Sequence, residues 1–176
     1  MDIRDIKACI RTVPDWPKKG VMFRDLTTCM KEPRIFKETC DIFYNRYKNK
    51  GIDKVVGIDA RGFIFGSVLA YQLGVGFVPV RKHGKLPAET IGASYSLEYG
   101  ESIVEIHKDA IEKGEKVIII DDLIATGGTI AAAATLVEKL GGEIVELAFV
   151  VELPDLKGRD KVKGHKIFAI TEFEGD

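Results

Sequence analysis

The stretch VIIIDDLIATGGTI, residues 117–130, holds the residues best suited to chemistry. Two adjacent carboxylates, Asp121 and Asp122, follow the apolar run Val117, Ile118, Ile119 and Ile120. A turn of small residues comes next (Ala125, Thr126, Gly127, Gly128, Thr129), and a helical pattern starts at about Gly128 or Thr129. Glycines let backbone N–H groups approach an anion closely, threonines add hydroxyl donors, and a helix N-terminus favours negative charge. The turn therefore has the ingredients of a phosphate cradle. Carboxylates repel phosphate but accept hydrogen bonds from hydroxyls. Acids beside an anion cradle point to sugar hydroxyls next to a phosphate. Taken singly, each acid reads equally well as a strand end or a helix cap. The string as a whole carries the argument.

Other phosphate motifs do not fit. The chain has no GxxxxGK[ST], so it is not a Walker P-loop. The one GxG candidate, Gly74-Val75-Gly76, has Pro79 where a third glycine belongs, and it precedes a strand pattern instead of following one.

The elements that must position this string follow from periodicity. Ile3, Ile6, Ile10 and Val13 predict a short amphipathic helix ended by Pro14 and Pro17. PDWPKKGVMFRDL reads as an ordered loop. Ile35, Phe36, Ile42, Phe43 and Tyr47 predict a helix after Pro33, closed by Gly51. KVVGIDA reads as a strand, RGFIFGSVLAYQLG as a helix and GFVPV as a strand. RKHGKLPAETIGASYS reads as a long exposed loop, and residues 94–106 alternate partly, as in a hairpin around Tyr99-Gly100. KVIIIDD suits a strand buried on both faces of a parallel sheet. LIATGG is the turn, TIAAAATLVEKLG a helix, and EIVELAFVVEL and KIFAITEF two more strands. The alternation predicts an open α/β sheet, and without a repeat or linker the simplest organisation is one domain over 1–176.

Composition excludes several classes. With 26 Lys plus Arg against 27 Asp plus Glu, the net charge of −1 lacks the basic excess of a nucleic-acid binder. No apolar run approaches the ~20 residues that span a bilayer, and charges throughout MDIRDIKACIRTV argue against a secretory leader. Cys9, Cys29 and Cys40 are an odd count without CxxC spacing, which fits a reducing cytoplasm and not a disulfide framework. His83, His107 and His165 are too scattered to suggest a metal-ligand cluster.

VIIIDDLIATGGT resembles the ribose-5-phosphate-binding signature of the type I phosphoribosyltransferases. PDWPKKGVMFRDLT, GIDARGFIFG, RKHGKLP, ASYSLEYG and VELPDLKGR match too, in the family's order, from about residue 14 to 160. GVMFRD and ASYSLEYG together are similar to the family's adenine branch. The resemblance implies an α/β type I phosphoribosyltransferase fold: a mainly parallel central sheet flanked by helices, a small N-terminal hood and a flexible catalytic loop. It implies a purine salvage reaction in which adenine and 5-phosphoribosyl 1-diphosphate (PRPP) give AMP and pyrophosphate. Magnesium would be the cofactor, held mainly by PRPP and not directly by the protein. A homodimer is expected, with no nucleic-acid or membrane partner.

By the same resemblance, Asp121 and Asp122 bind the ribose 2′- and 3′-hydroxyls, and Ala125, Thr126, Gly127, Gly128 and Thr129 bind the 5′-phosphate. Asp59, Ala60 and Arg61 supply a diphosphate loop, often with a non-proline cis peptide. Arg81, Lys82 and Lys85 match a basic stretch that also serves the diphosphate, in part across the subunit boundary; read alone, they are a solvated charged loop. His83 stands where relatives often carry arginine, which weakens any phosphate role there. Glu98 is the implied acid–base residue, and Tyr99 helps the loop close. Met22, Phe23 and Arg24 frame the adenine, with Phe23 stacking on it and Leu123 as an apolar wall. Without the resemblance, Met22 and Phe23 read as core packing, and Arg24-Asp25 as a local ion pair. Trp16, in the loop before GVMFRD, reads equally as a fluorescent reporter of base binding or as simple packing. One rival is an enzyme of the same superfamily for hypoxanthine, xanthine or another base. Another is a non-catalytic purine or PRPP sensor, although such relatives carry a DNA-binding segment and the first helical pattern here starts almost at Met1. A small Rossmann-type binder lacks its glycine fingerprint.

Overall fold

The computed structural model describes residues 3–97 and 100–175. The apolar run at 117–120 lies in a nine-residue strand, Lys116–Ile124, that leads into the cradle. In chain order the elements are α1 (Ile3–Cys9), β1 (Arg11–Pro14), β2 (Met22–Asp25), α2 (Thr27–Met30), α3 (Pro33–Tyr47), β3 (Lys54–Ile58), α4 (Arg61–Leu73), β4 (Gly76–Lys82), β5 (Thr90–Ser96), β6 (Glu101–His107), β7 (Lys116–Ile124), α5 (Gly128–Lys139), β8 (Glu143–Glu152), two 3₁₀ turns (Pro154–Leu156, Gly158–Val162) and β9 (Ile167–Glu172).

Seven strands form one sheet in the order β5-β6-β4-β3-β7-β8-β9. β4, β3, β7, β8 and β9 run parallel, and the β5–β6 hairpin continues the sheet antiparallel from β4. Period-two alternation divides β7 between two cores. Ile118 and Ile120 face α3 and α4, while Val117 and Ile119 face α5. This burial on both faces is why the run is continuous and not alternating. From β3 the chain crosses through α4 to β4; from β7 it crosses through α5, on the other face, to β8. The order therefore reverses between β3 and β7, and the crevice beyond their carboxyl ends is where open α/β sheets bind ligands.

Close packing fixes that crevice. α4 seats on β7 through Gly62, where a methyl would stand 2.8 Å from the Ile120 carbonyl oxygen and 3.0 Å from Asp121 Oδ1. On the same side of the sheet, Arg46 of α3 donates two hydrogen bonds to Glu146 of β8, at 2.6 and 2.8 Å. Tyr47 donates a third at 2.7 Å. Burial alone would push the Glu146 carboxyl up, but these bonds outweigh it and hold the group below its ordinary range.

Three expectations change. The first helix ends at Cys9, and Val13 belongs to β1, which pairs antiparallel with β2 in the register Val13↔Phe23. β-branched Thr12 and Val13 favour extended backbone, and Pro14 is tolerated because this two-stranded sheet has only edges. Hence part of PDWPKKGVMFRDL is strand and not loop. The long loop at 81–96 shrinks to 83–89, because Thr90–Ser96 is the edge strand β5. Its half-buried Ile91, Ala93 and Tyr95 do alternate with exposed Gly92, Ser94 and Ser96, but Ala and Gly hide the period. Leu123 and Ile124 extend β7, so the turn begins at Ala125.

Arg46→Ala leaves Glu146 charged, buried and short of partners, and removes the guanidinium from over Phe168 at 4.0 Å. Because Arg46 is one-third exposed, the expected loss is ~2–3 kcal/mol, below that of a fully buried pair. Urea unfolding should show a lower midpoint with an unchanged slope.

Candidate functional site

The two acids at the end of β7 are packed differently. Asp122 is 4% exposed, and its carboxylate is paired with the Nε of Arg61, the first residue of α4. Asp121 keeps some surface open yet lies deep beneath α4. Its Oδ1 accepts the Asp122 backbone N–H at 2.8 Å. Loss of solvent first, and the Asp122 charge second, push the Asp121 carboxyl well above its ordinary range.

Beyond the acids the backbone turns sharply. Gly127 sits at φ +80°, a left-handed conformation that glycine adopts without strain, and α5 starts at Gly128. A cavity of about 110 Å³ lies here, lined by Asp121, Leu123 and residues 124–130. All five cradle residues named from sequence thus share one concavity with Asp121 and Leu123. It opens at the N-terminus of a 12-residue helix with no acidic residue in its first turn.

The neighbouring crevice wall is Asp59-Ala60-Arg61, where the Asp59–Ala60 peptide is cis. Arg81 donates to Asp59 Oδ2 at 2.9 Å and to the Lys85 carbonyl oxygen at 3.2 Å. The diphosphate-loop and basic-stretch residues are therefore brought together, with Lys82 and Lys85 exposed beside them. His83 is committed elsewhere. Its Nδ1 is 2.5 Å from Glu105 Oε1, while Glu105 Oε2 accepts the Gly84 N–H at 3.1 Å. The His83 bond, ahead of the Gly84 one, holds the Glu105 carboxyl below its ordinary range.

Of the adenine-framing residues, Phe23 lines a mainly apolar cavity of about 250 Å³ with Val13, Trp16, Asp25 and Thr27. The Trp16 and Phe23 rings meet edge to face at 4.4 Å between centroids. Met22 is half-buried on the same strand but is not among those lining residues. Nor is Arg24: it donates to Thr12 Oγ1 at 2.7 Å and lies over the Phe173 ring at 4.5 Å. The expected Arg24-Asp25 pair is replaced by Arg11-Asp25. Asp25 also accepts from Thr27 Oγ1 at 2.6 Å and from the Thr27 N–H at 2.9 Å. The Thr27 hydroxyl and then Arg11 draw its carboxyl down to about 2.

Arg61 stands between the acids and the base cavity: its guanidinium pairs with Asp122, the neighbour of cradle-lining Asp121, and lies 6.0 Å over the Phe23 ring. Sequence reasoning gave it only the diphosphate. It also missed Arg11 and Gly158, which no local pattern marks. Gly158 was visible only inside the matched stretch VELPDLKGR. Glu98 and Tyr99 lie outside the described residues.

Comparisons with known proteins agree with this geometry. The phosphoribosyl transferase domain family matches residues 28–174. An adenine phosphoribosyltransferase of Desulfosudis oleivorans is 66% identical over 172 residues, covering 98% of this chain and 99% of the relative. The crystal structure of adenine phosphoribosyltransferase from Thermoanaerobacter pseudethanolicus superposes with a TM-score of 0.94 at 48% identity, covering 98% of this chain and all of the other. That of the Saccharomyces cerevisiae enzyme, complexed with D-2,5-dideoxy-2,5-imino-altritol 1,6-bisphosphate and adenine, gives 0.92 at 44% identity, covering 96% and 97%. The chain belongs to the phosphoribosyltransferases, and within them to the adenine phosphoribosyltransferases. The mainly parallel central sheet flanked by helices that the resemblance implies is the one observed.

Asp121→Asn keeps the oxygen that accepts the Asp122 N–H and removes a poorly solvated charge. A carboxyl raised in the folded state costs stability as pH climbs through its folded value, and costs nothing below the unfolded value of about 4. The variant should therefore match or exceed wild type in melting temperature at pH 7.5, with any advantage shrinking towards pH 4. Thermal unfolding across that range checks the sign.

Proposed function

We propose that this site transfers the 5-phosphoribosyl group of PRPP to adenine, giving AMP and pyrophosphate in purine salvage. The observation that carries the proposal is the continuity of its parts. A phosphate-sized cradle is lined by Asp121, its neighbour Asp122 pairs with Arg61, and that guanidinium lies over the Phe23 ring of an aromatic cavity. The ligands of the yeast relative, a bisphosphate of an imino sugar together with adenine, fit the same division of labour.

In this reading the amides and hydroxyls of Ala125–Thr129 hold the 5′-phosphate, and Asp121 and Asp122 accept from the ribose hydroxyls. Asp122 exchanges Arg61 for substrate, which frees that guanidinium for the diphosphate or the base. Arg81, Lys82 and Lys85 place cations where negative charge develops on the leaving diphosphate. Adenine lies on Phe23, where displacement of water strengthens each of these charge interactions. N9 attacks the anomeric carbon, the bond to the diphosphate oxygen breaks with its electron pair, and the base loses a proton. Glu98 is the proposed proton acceptor on the purine and Tyr99 the residue that helps close the loop, both on the strength of the family resemblance.

Magnesium is part of the proposal. Among the described residues no group of three or more His, Cys, Asp or Glu side chains converges to hold a metal. Donors from the diphosphate, the ribose and water suit an ion that keeps much of its hydration. When bound, it would neutralise charge on the leaving group. A homodimer is supported by α4, which carries no charged residue after Arg61 and leaves Ile64 and Tyr71 exposed. The three free cysteines support a cytoplasmic setting. No helix among the described residues is long and apolar enough to cross a membrane.

Pyrophosphate release with PRPP and magnesium, comparing adenine, hypoxanthine and guanine, tests the reading. Adenine should be favoured by at least ~10-fold, since a 6-oxopurine presents an acceptor where the site expects a donor. Glu98→Ala should lower kcat by ~100-fold or more. Phe23→Ala should raise the adenine KM and weaken the Trp16 fluorescence response. Turnover with a 6-oxopurine instead overturns the base-site assignment. No turnover in protein that binds PRPP favours a sensor.

A further inference from the structure

A cradle made of backbone amides binds phosphate only if those amides stay aimed at one point. Two consecutive glycines, Gly127 and Gly128, make that aim expensive to maintain, because glycine loses the most backbone freedom on ordering. Something outside the turn must hold it. The structure provides a second backbone pressed against it. A methyl placed on Gly158 would stand 2.4 Å from the Ala125 carbonyl oxygen and 3.2 Å from the Gly127 nitrogen. A methyl placed on Gly127 would stand 2.3 Å from the Gly158 carbonyl oxygen. The two segments thus touch backbone to backbone, and neither glycine has room for a Cβ.

Gly158 is itself held in place. The next residue, Arg159, donates from Nε and Nη2 to the two oxygens of Glu152, each at 2.6 Å. Glu152 ends β8 and is 7% exposed. The Leu153 N–H donates to the Ile124 carbonyl oxygen at 3.0 Å, tying this segment to the last residue of β7. Val162, at the end of the same 3₁₀ turn, is buried in the core beneath α5. The segment is therefore anchored on both sides of Gly158, and the cradle leans on it.

We propose that Gly158 is a positioning residue for the phosphate monoester of the substrate, with the Arg159–Glu152 fork as its clamp. The inference rests on the reading of Ala125–Thr129 as the 5′-phosphate site. Gly158 does not touch the substrate in this account. It fixes the peptide units of Ala125 and Gly127 from behind. Gly158 is not among the residues at positive φ, so alanine there introduces a wedge against the cradle and no backbone strain of its own.

Calorimetric titration with ribose 5-phosphate, together with steady-state kinetics, tests this on the full chain. Gly158→Ala should weaken ribose 5-phosphate binding and raise the PRPP KM by at least tenfold. The adenine KM, and kcat at saturating PRPP, should stay within threefold of wild type. Arg159→Met, which adds nothing to the contact, should weaken ribose 5-phosphate at least threefold, and Arg159→Lys should recover part of that. A general structural defect would instead move kcat and both KM values together, and that result overturns the proposal. So does a folded Gly158→Ala protein that binds ribose 5-phosphate within twofold of wild type. If Gly158→Ala does not fold, Arg159→Met decides, and unchanged affinity there overturns the proposal. If wild type itself fails to bind ribose 5-phosphate, the phosphate-site reading falls and takes the inference with it. That outcome is distinct from the case in which wild type and Gly158→Ala bind equally.

Discussion

Two neighbouring carboxylates at the end of a strand buried on both faces set the terms for the rest of the molecule. Placing Asp121 and Asp122 there is unfavourable, because both lose solvent and each repels the other. The fold offsets part of this with one cation, the Arg61 guanidinium on Asp122. Arg61 reaches that place because α4 lies tight on β7 through Gly62, and because β3 and β7 are parallel neighbours whose connections leave on opposite faces. The ion pair is therefore a product of the strand order. It also leaves a site in which a diol and an anionic ligand can take over the contacts that Arg61 and Asp122 make with each other.

Around that pair, the remaining parts are backbone held by backbone and charge held by charge. The β1–β2 ribbon brings Phe23 and Trp16 over the crevice, and Arg11 and Thr27 fix Asp25 at its inner edge. Arg81 ties the basic stretch to Asp59. The Glu152–Arg159 fork holds the segment behind the cradle. None of these contacts lies within one secondary element. Arg81–Asp59 and Glu152–Arg159 each join a strand near its end to a neighbouring connection, and Arg11–Asp25 joins the paired outer ends of β1 and β2, so the geometry of the site is inherited from the register of the strands.

Legibility in the sequence followed from how local each feature is. Residues 117–130 could be read directly, since a two-faced strand, two acids and a small-residue turn are contiguous and each has its own physical signature. α3, α4 and α5 were legible from apolar periodicity. β5 was not, because Gly92, Ala93 and Ser94 carry too little hydrophobic contrast to show a period of two. β1 and β2 were hidden for a different reason: four-residue strands stabilise only through each other, in pairs that run from Pro14↔Met22 beside the turn out to Arg11↔Asp25, and Pro14 argues against a strand. Pairings such as Arg11–Asp25 and Arg61–Asp122 are set by tertiary packing, which single-residue patterns do not encode. Arg24 shows the converse, since strand alternation turns it towards Thr12 and Phe173, away from the face that Phe23 shares with Asp25.

A crystal structure of this chain with AMP tests the central claim most directly. The account predicts the 5′-phosphate in the turn Ala125–Thr129, the ribose hydroxyls on Asp121 and Asp122, the purine against Phe23, and Arg61 parted from Asp122. A phosphate bound elsewhere, or a nucleotide seated with the Arg61–Asp122 pair intact and the ribose away from both acids, would contradict it.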